Sequence, residues 1–238
     1  MPTIHAAAIT EIGRVRRANE DRFLCDTANG LFGVADGVGG LPYGARAAQT
    51  TLDSLREFFA SPTRRSLDSV NDAIQHANRA VAQLGRSLSP DQGMGSTLTL
   101  GVLDDDFMIL GHVGDSCCWQ LRETEVRPLT TDHNVGRALA EHFVDHPLAS
   151  DGSPLLRALS QCMGQPVPLR VDTIAHRLVP GTKLLFATDG VSGFLSEDEI
   201  ARVFATDLSL PLQLSTLIDQ VNERGAPDNA TAVVLDIS

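Results

Sequence analysis

The 238-residue sequence lacks a hydrophobic run long enough to cross a membrane, and it has few positive charges. No apolar stretch approaches the ~18 residues of a membrane span, and the first residues lack the regions of a secretory signal peptide. Lys and Arg total 19 against 30 Asp and Glu, a formal net charge of -11. This charge argues against a basic surface for nucleic acid or anionic lipid. We expect a cytoplasmic protein with no membrane span and no nucleic-acid partner.

Cysteine is scarce too, and its spacing argues against the common cysteine-based sites. The four cysteines are Cys25, Cys117, Cys118 and Cys162. None forms a Cys-x-x-Cys pair, and adjacent cysteines are poorly placed to share a tetrahedral zinc. We expect reduced and mostly buried thiols, since free cysteine is usually buried. No cysteine lies in a phosphate-cradling loop with an arginine pattern nearby, so we predict no cysteine nucleophile.

Low-complexity linkers and abrupt changes in composition are also absent. With 42% hydrophobic and 21% charged residues, the composition is that of an ordinary globular protein rather than a disordered one. A chain of this length buries a large core without disulfides. We predict a single domain over residues 1–238, less regular over 129–168.

The hydrophobic pattern predicts strands and helices in an order typical of an α+β fold. Helices are predicted at about 43–59 and 66–88, from the Ser196–Glu199 capping box onward, and at 210–224. Strands are predicted at about 3–9, 21–26, 31–35, 96–103, 107–113, 117–122, 171–178, 183–187 and 230–237. Because neighbouring strands resemble hairpins and regular βαβ alternation is absent, we predict layers with antiparallel sheets.

Four aspartates stand at the ends of apolar strands. Asp36, Asp115 and Asp189 each end an apolar run, and Asp228 lies just before the last strand. An unpaired carboxylate at a buried strand end costs roughly several kcal/mol, so it needs a cation or dense hydrogen bonding. Carboxylate, carbonyl and water oxygens are the ligands of Mg²⁺ and Mn²⁺. Converging ends would form an oxygen-only metal site, whereas separate ends would be ordinary Asp-Gly turns.

A second polar cluster lies upstream, where arginines precede a Glu-Asp pair. Residues 13–21 read Gly-Arg-Val-Arg-Arg-Ala-Asn-Glu-Asp. One interpretation is an exposed cluster of ion pairs. The functional alternative is an arginine that holds a phosphoryl oxygen beside a metal-linked carboxylate.

Seven segments, in this order, resemble the metal-dependent Ser/Thr protein phosphatases of the PP2C (PPM) family, bacterial branch. They are Arg16–Asp21, Val34–Gly40, Gly95–Thr97, His112–Ser116, Leu129–His133, Phe186–Val191 and Pro227–Thr231. Each is weak alone, whereas the ordered set is specific and covers nearly the whole chain. The resemblance implies a four-layer α-β-β-α sandwich with two central antiparallel sheets and a binuclear Mn²⁺ or Mg²⁺ centre at one edge.

The resemblance also implies a set of metal ligands. Asp36 would bridge the two metal ions, and the Gly37 carbonyl would bind one of them. Asp189 and Asp228 would complete the other. Asp115 would help Asp189 to hold a third, weaker ion.

Three further residues would act around that centre. Glu20, and with it Asp21, would act mainly through metal-bound water, and Arg16 would bind phosphate. The implied reaction is direct attack on phosphorus by a water or hydroxide that bridges the two ions, in line with the departing Ser or Thr oxygen. The metals and Arg16 would offset charge on the phosphoryl oxygens, and no phosphoenzyme would form.

The chain departs from the family pattern at positions that affect the proton donor. Some members have a histidine directly after Asp-Gly, where this chain has Val38, and bacterial members often have one after Gly-Gly, where it has Leu41. Metal-bound water is then the expected donor. Cys117 stands where the family often has arginine. His112 and His133 lie in matching motifs, and we expect structural hydrogen-bonding roles for both.

Residues 134–168 correspond to the region that contains the mobile flap of the family. Loops beside a rigid site commonly carry specificity. We therefore predict that shortening the stretch around Glu141 to Ser153 alters activity on phosphoproteins more than activity on a small aryl phosphate.

The leading hypothesis is a monomeric phosphatase that acts on phosphoserine and phosphothreonine in proteins and opposes a bacterial Ser/Thr kinase. The alternatives are a pseudophosphatase adaptor, a phosphatase of an anti-sigma-factor antagonist, and a two-metal nuclease or small-phosphoester hydrolase. The presence of Asp36, Asp189 and Asp228 argues against the pseudophosphatase. The absence of a basic stripe argues against the nuclease. Oxygen ligands suit Mn²⁺ and Mg²⁺ equally.

Overall fold

Two antiparallel sheets form the centre of the protein, and helices cover their outer faces. The computed structural model describes residues 2–61, 64–142, 154–167 and 169–238. The stretch 143–153, to which most of the flap prediction applies, lies outside the described residues, so the role of the flap stays a prediction. None of the described helices is both long and apolar enough to cross a bilayer.

The described strands, numbered in chain order, pair into two sheets. They are β1 Ile4–Glu11, β2 Arg22–Asp26, β3 Leu31–Ala35, β4 Leu98–Asp104, β5 Phe107–Val113, β6 Cys117–Arg122, β7 Glu125–Pro128, β8 Asp172–Arg177, β9 Thr182–Ala187 and β10 Ala230–Ile237. The strand order is β1-β10-β9-β6-β7 in one sheet and β2-β3-β4-β5-β8 in the other.

Two helix pairs cover the outer faces of these sheets, and two shorter helices lie in the connections between strands. They are α1 Gly44–Ala60, α2 Leu67–Leu88, α3 Val135–His142, α4 Asp189–Ser192, α5 Glu197–Phe204 and α6 Leu210–Glu223, with a 3-10 helix at Pro154–Arg157. The pairs are α1 with α2 and α5 with α6. The capping box predicted for α5 is present, because the Ser196 N–H donates to the Glu199 carboxylate at 3.0 Å. Ser66 caps α2 by accepting from the Ser69 N–H at 3.2 Å.

Apolar side chains fill three layers between these elements. Leu55 and Ile74 lie in the cluster between α1, α2 and the second sheet. Phe32 and Phe186 lie in the cluster between the two sheets, and Leu217 lies in the cluster beneath α5 and α6. These layers confirm the α-β-β-α sandwich.

Most predicted elements lie within about two residues of their predicted ends, and the structure adds the strand β7 and the short helices α3 and α4. The sequence pattern does not indicate β7 because three of its four residues are exposed, so it has no apolar alternation. Its hairpin with β6 turns at Glu123, which adopts a positive φ of 53°. This strand lies at the sheet edge.

Candidate active site

Antiparallel pairing brings the aspartate-bearing strand ends to one edge of the sandwich. Arg22 at the start of β2 pairs with Ala35 at the end of β3. Cys117 at the start of β6 pairs with Ala187 at the end of β9 in the other sheet. Because alternate strand ends align in this way, both sheets deliver acidic loops to the same place.

A cavity of about 500 Å³ opens at this edge. The predicted site residues that line it are Arg16, Glu20, Asp36, Gly37, Asp115, Asp189 and Asp228. The four aspartates are therefore not separate turn residues. Asp21, the remaining candidate, is buried behind the cavity at 2% exposure.

Asp36 is fixed through its backbone to the neighbouring strand. Its N–H donates to Thr97 Oγ1 at 3.0 Å, and its carbonyl accepts from the Thr97 N–H at 2.7 Å. Thr97 Oγ1 in turn lies 2.6 Å from Ser116 Oγ, next to Asp115. Burial raises the pKa of the Asp36 carboxyl well above its usual value, and the charges of Asp21 and Asp189 raise it further.

Two other carboxyl groups of the cluster, those of Asp21 and Asp115, also have raised pKa values. Burial raises the pKa of Asp21 to about 6, although hydrogen bonds from Thr231 and Thr188 oppose the shift. Burial, together with the charge of Asp189, raises the pKa of Asp115 to about 7. Unscreened carboxylates in one place are unstable without positive charge.

The donor set fits hard divalent cations. Asp21 Oδ1 and Asp189 Oδ1 are buried with no hydrogen-bond partner among the described residues. The potential donors are carboxylate and carbonyl oxygens, which suit Mg²⁺ or Mn²⁺. In the described part of the chain, no three His, Cys, Asp or Glu side chains are grouped closely enough to count as a formed metal site. Arg16 already contacts one of the carboxylates, that of Asp228, and the oxygen-only donor set matches the preference of a hard divalent cation.

Arg16 is the predicted positively charged residue of the acidic wall, and it lines the cavity. Its Nη2 donates to Asp228 Oδ2 at 2.6 Å, and the two side chains are 40% and 29% exposed. The Asp228 hydrogen bond raises the pKa of the Arg16 guanidinium. The guanidinium thus faces the cavity beside an acidic oxygen, where a phosphoryl group would be within its reach.

Asn229 fixes this arrangement, and sequence reasoning assigns it no role. It is 4% exposed, and its Oδ1 accepts from the Glu20 N–H at 2.8 Å. Its Nδ2 donates to the carbonyls of Ile12 at 2.8 Å and Ala18 at 3.1 Å. The segment that carries Arg16 and Glu20 is therefore held against the loop of Asp228. The sequence signals are a polar residue just before an apolar strand and its place in the family-matching segment Pro227–Thr231.

Two close backbone approaches also shape the site. A Cβ at Gly190 would lie 1.8 Å from the Asn229 carbonyl oxygen, and a Cβ at Gly37 would lie 2.4 Å from the Gly44 carbonyl carbon. No side chain fits at either position. The glycines after Asp36 and Asp189 therefore allow neighbouring loops to meet.

The two motif histidines lie in the protein interior rather than in the cavity. His112 is fully buried and its Nδ1 lies 3.0 Å from Thr99 Oγ1. Burial lowers the pKa of His112 to about 3, and the nearby His133 lowers it further. His133 Nε2 lies 3.1 Å from Asp172 Oδ2. These contacts agree with the structural roles expected for both.

The remaining wall of the cavity comes from two loops. Leu41 and Val38 follow the acidic strand end of β3, and Arg157, Leu159 and Cys162 come from the region after α3. Sequence reasoning does not place Arg157 or Cys162 in the site. Their approach depends on the path of a region without regular periodicity.

The comparisons with known proteins agree with this geometry. The sequence profile of the family "Protein phosphatase 2C" matches residues 14–224. A putative protein phosphatase 2C-type from Streptococcus pyogenes is 29% identical, over 95% of this chain and 94% of that protein.

Two solved structures are similar over almost their whole length. The serine/threonine phosphatase of S. agalactiae has a TM-score of 0.88 at 28% identity, and the match covers 99% of this chain and 100% of that one. The catalytic domain of the serine threonine protein phosphatase PstP, in complex with two manganese ions, has a TM-score of 0.82 at 27% identity. That match covers 100% of this chain and 99% of that one.

Proposed function

The chain belongs to the protein phosphatase 2C family and is a phosphoprotein phosphatase, and from this premise we propose a substrate class and a mechanism. It hydrolyses phosphoserine and phosphothreonine by direct attack of water, with two divalent ions, in the cytoplasm. The observation that supports this most is the convergence of Asp36, Asp189 and Asp228 on one cavity with Arg16. These residues come from both sheets but line one cavity, so they could act together on a single phosphoryl group.

The acidic residues would hold the ions. Asp36 would serve both ions and the Gly37 carbonyl one of them, and Asp189 and Asp228 would supply further oxygens; all four residues line the cavity. Asp115, whose pKa is raised in part by the charge of Asp189, would help to hold a third, weaker ion. Divalent ions, when bound, lower the pKa of water to near neutrality and offset charge on phosphoryl oxygens. The Mn²⁺ found in PstP makes manganese the first ion to test.

Arg16 and Glu20 complete the catalytic wall. The Arg16 guanidinium carries a fixed positive charge and a fork of N–H donors, which suits phosphoryl oxygens. Its contact with Asp228 orients it towards the cavity. Glu20 is held by Asn229 through its backbone and lines the cavity, and its carboxylate would act mainly through metal-bound water. No side chain is required as a nucleophile.

A Ser/Thr kinase supplies the substrate in this account. Phosphoserine and phosphothreonine arise by transfer of a phosphoryl group to a hydroxyl, so hydrolysis returns the protein to its earlier state. The phosphatase therefore opposes that class of enzyme. We expect the chain to act as a monomer.

Hydrolysis of para-nitrophenyl phosphate and of a phosphothreonine peptide tests the proposal. Wild type and Asp36→Asn are compared in Mn²⁺, Mg²⁺ or EDTA. Asp219→Asn, an exposed position on α6, is the matched control for loss of one negative charge. We expect metal-dependent activity on both substrates in wild type and Asp219→Asn only. If wild type were inactive with both Mn²⁺ and Mg²⁺ from neutral to alkaline pH, the result would contradict the proposal and favour a pseudophosphatase.

A further inference from the structure

The cavity contains an apolar patch that the hydrolysis of a phosphate does not require. Val38, Leu41 and Leu159 line it together with the acidic residues, and each is partly exposed. Aliphatic side chains neither bind a cation nor offset phosphoryl charge. Their presence beside a polar catalytic wall calls for an apolar group of the substrate.

A tight turn presents two of these residues. The Leu41 N–H donates to the Val38 carbonyl at 3.2 Å, so they occupy the two ends of a four-residue turn. Gly40, the third residue of the turn, has a φ of +98°, as a type II turn requires. The Val38 N–H also donates to the Gly95 carbonyl at 2.9 Å, which anchors the turn to the start of β4.

The chain that follows Leu159 is anchored as well. Met163 pairs with Ser96 through two backbone hydrogen bonds, of 2.7 and 3.3 Å. Asn78, fully buried on α2, accepts from the Gly164 N–H at 2.6 Å. Both sides of the apolar patch are thus held by the scaffold, which favours a preformed subsite.

The size of the cavity leaves room for more than the phosphoryl group. Its volume of about 500 Å³ lies within the range of about 300–1,000 Å³ typical of sites for whole small ligands. The patch is continuous with the acidic wall, since both line one cavity. The side chain of a residue next to the phosphorylated residue in the substrate sequence would therefore reach the apolar patch, with no separate docking surface.

We propose that Val38, Leu41 and Leu159 form an apolar subsite for an aliphatic side chain directly adjacent to the phosphorylated residue of the substrate. The inference rests on the proposed phosphatase function and adds a sequence preference to it. One extra methylene in a hydrophobic pocket discriminates by about 10–200-fold. Because this patch is partly exposed, we expect a preference of about tenfold, at the lower end of that range.

Two matched phosphothreonine peptides test the subsite. They are identical except that both residues flanking the phosphothreonine are Leu in one and Asn in the other. The measured quantity is the ratio of kcat/KM between the two peptides. We expect about 10 for wild type and a fall to about 2 or less in Leu41→Asn, because the contact loses its apolar partner. Leu159→Asn provides a second, independent test should the first variant fold poorly.

Leu212→Asn is the matched control, since Leu212 is 54% exposed on α6 and does not line the cavity. It should keep the wild-type ratio. Equal kcat/KM on both peptides in wild type would overturn the subsite while leaving the phosphatase function intact. A wild-type ratio that neither variant changes would overturn the assignment to these residues. Failure of wild type to hydrolyse para-nitrophenyl phosphate with both Mn²⁺ and Mg²⁺ would instead overturn the function itself.

Discussion

Arg16 and Asp228 lie 212 residues apart in sequence, yet their side chains meet at 2.6 Å on the wall of the cavity. The contact joins the loop after β1 to the loop before β10. It gives Arg16 a fixed direction and leaves it 40% exposed, so part of its fork of donors is available to a phosphoryl group. In the proposed mechanism Asp228 would have two roles, as an oxygen donor for a cation and as the carboxylate that orients Arg16.

Replacement of Arg16 should weaken binding of the phosphoryl group. We expect Arg16→Ala to lower kcat/KM by about 10- to 100-fold, the equivalent of about 1.4–2.7 kcal/mol. Arg16→Lys should recover only part of this loss, because an ammonium keeps the charge without the fork. Steady-state kinetics with para-nitrophenyl phosphate measure both. Arg17→Ala, at an exposed neighbour that does not line the cavity, is the control. Equal effects at both positions would argue against a specific role.

Loss of the Asn229 side chain should affect stability and catalysis together. Asn229→Ala removes three hydrogen bonds to the segment that carries Glu20. We expect the free energy of unfolding to fall by about 1–3 kcal/mol and kcat to fall with it. Asn229→Asp keeps the shape but turns an oxygen towards two carbonyls, so it should not restore function. Urea denaturation and kinetics provide the readouts. A stable, fully active Asn229→Ala would contradict this role.

His112 should make the protein less stable in acid. Its pKa is lowered to about 3 in the fold, against about 6.5 when unfolded. The unfolded chain therefore binds more protons between these values, so this contribution is complete above pH 6.5 and is lost as the pH falls towards 3. The slope is about 1.4 kcal/mol per pH unit. His133 and Asp172 face the same ring and act in opposite directions on it.

Urea denaturation between pH 4 and 8 measures that slope. We expect His112→Asn to reduce the slope of the unfolding free energy against pH by about 1.4 kcal/mol per pH unit, the contribution of one proton. The variant should also be less stable overall. The exposed His5→Asn is the control and should keep the wild-type slope. An unchanged slope in His112→Asn would show that the buried ring does not govern acid unfolding.

The secondary structure was largely predictable because most elements have strong local signals. The apolar stripe of α2 and the largely apolar run of β10 are examples, and both lie within one residue of their expected bounds. The strand β7 has no such signal, since its residues are mostly exposed. Its position depends on pairing with β6.

The site was only partly predictable from local pattern. An aspartate at a strand end is visible in the sequence, but the meeting of Asp36 with Asp228 depends on the pairing of strands far apart in the chain. The ordered resemblance to a known family supplied that information. The roles of Asn229 and Thr188 follow only from three-dimensional contacts, because a buried polar side chain leaves no periodic signal.

Equilibrium dialysis against Mn²⁺, with phosphate release from a phosphothreonine peptide measured in the same samples, tests whether hydrolysis depends on two bound ions. We expect wild type to bind about two ions tightly and to gain activity as they bind, as a two-metal site requires. Asp36→Asn should lose both the ions and the activity. Full activity in EDTA, or activity in Asp36→Asn equal to wild type, would contradict the account.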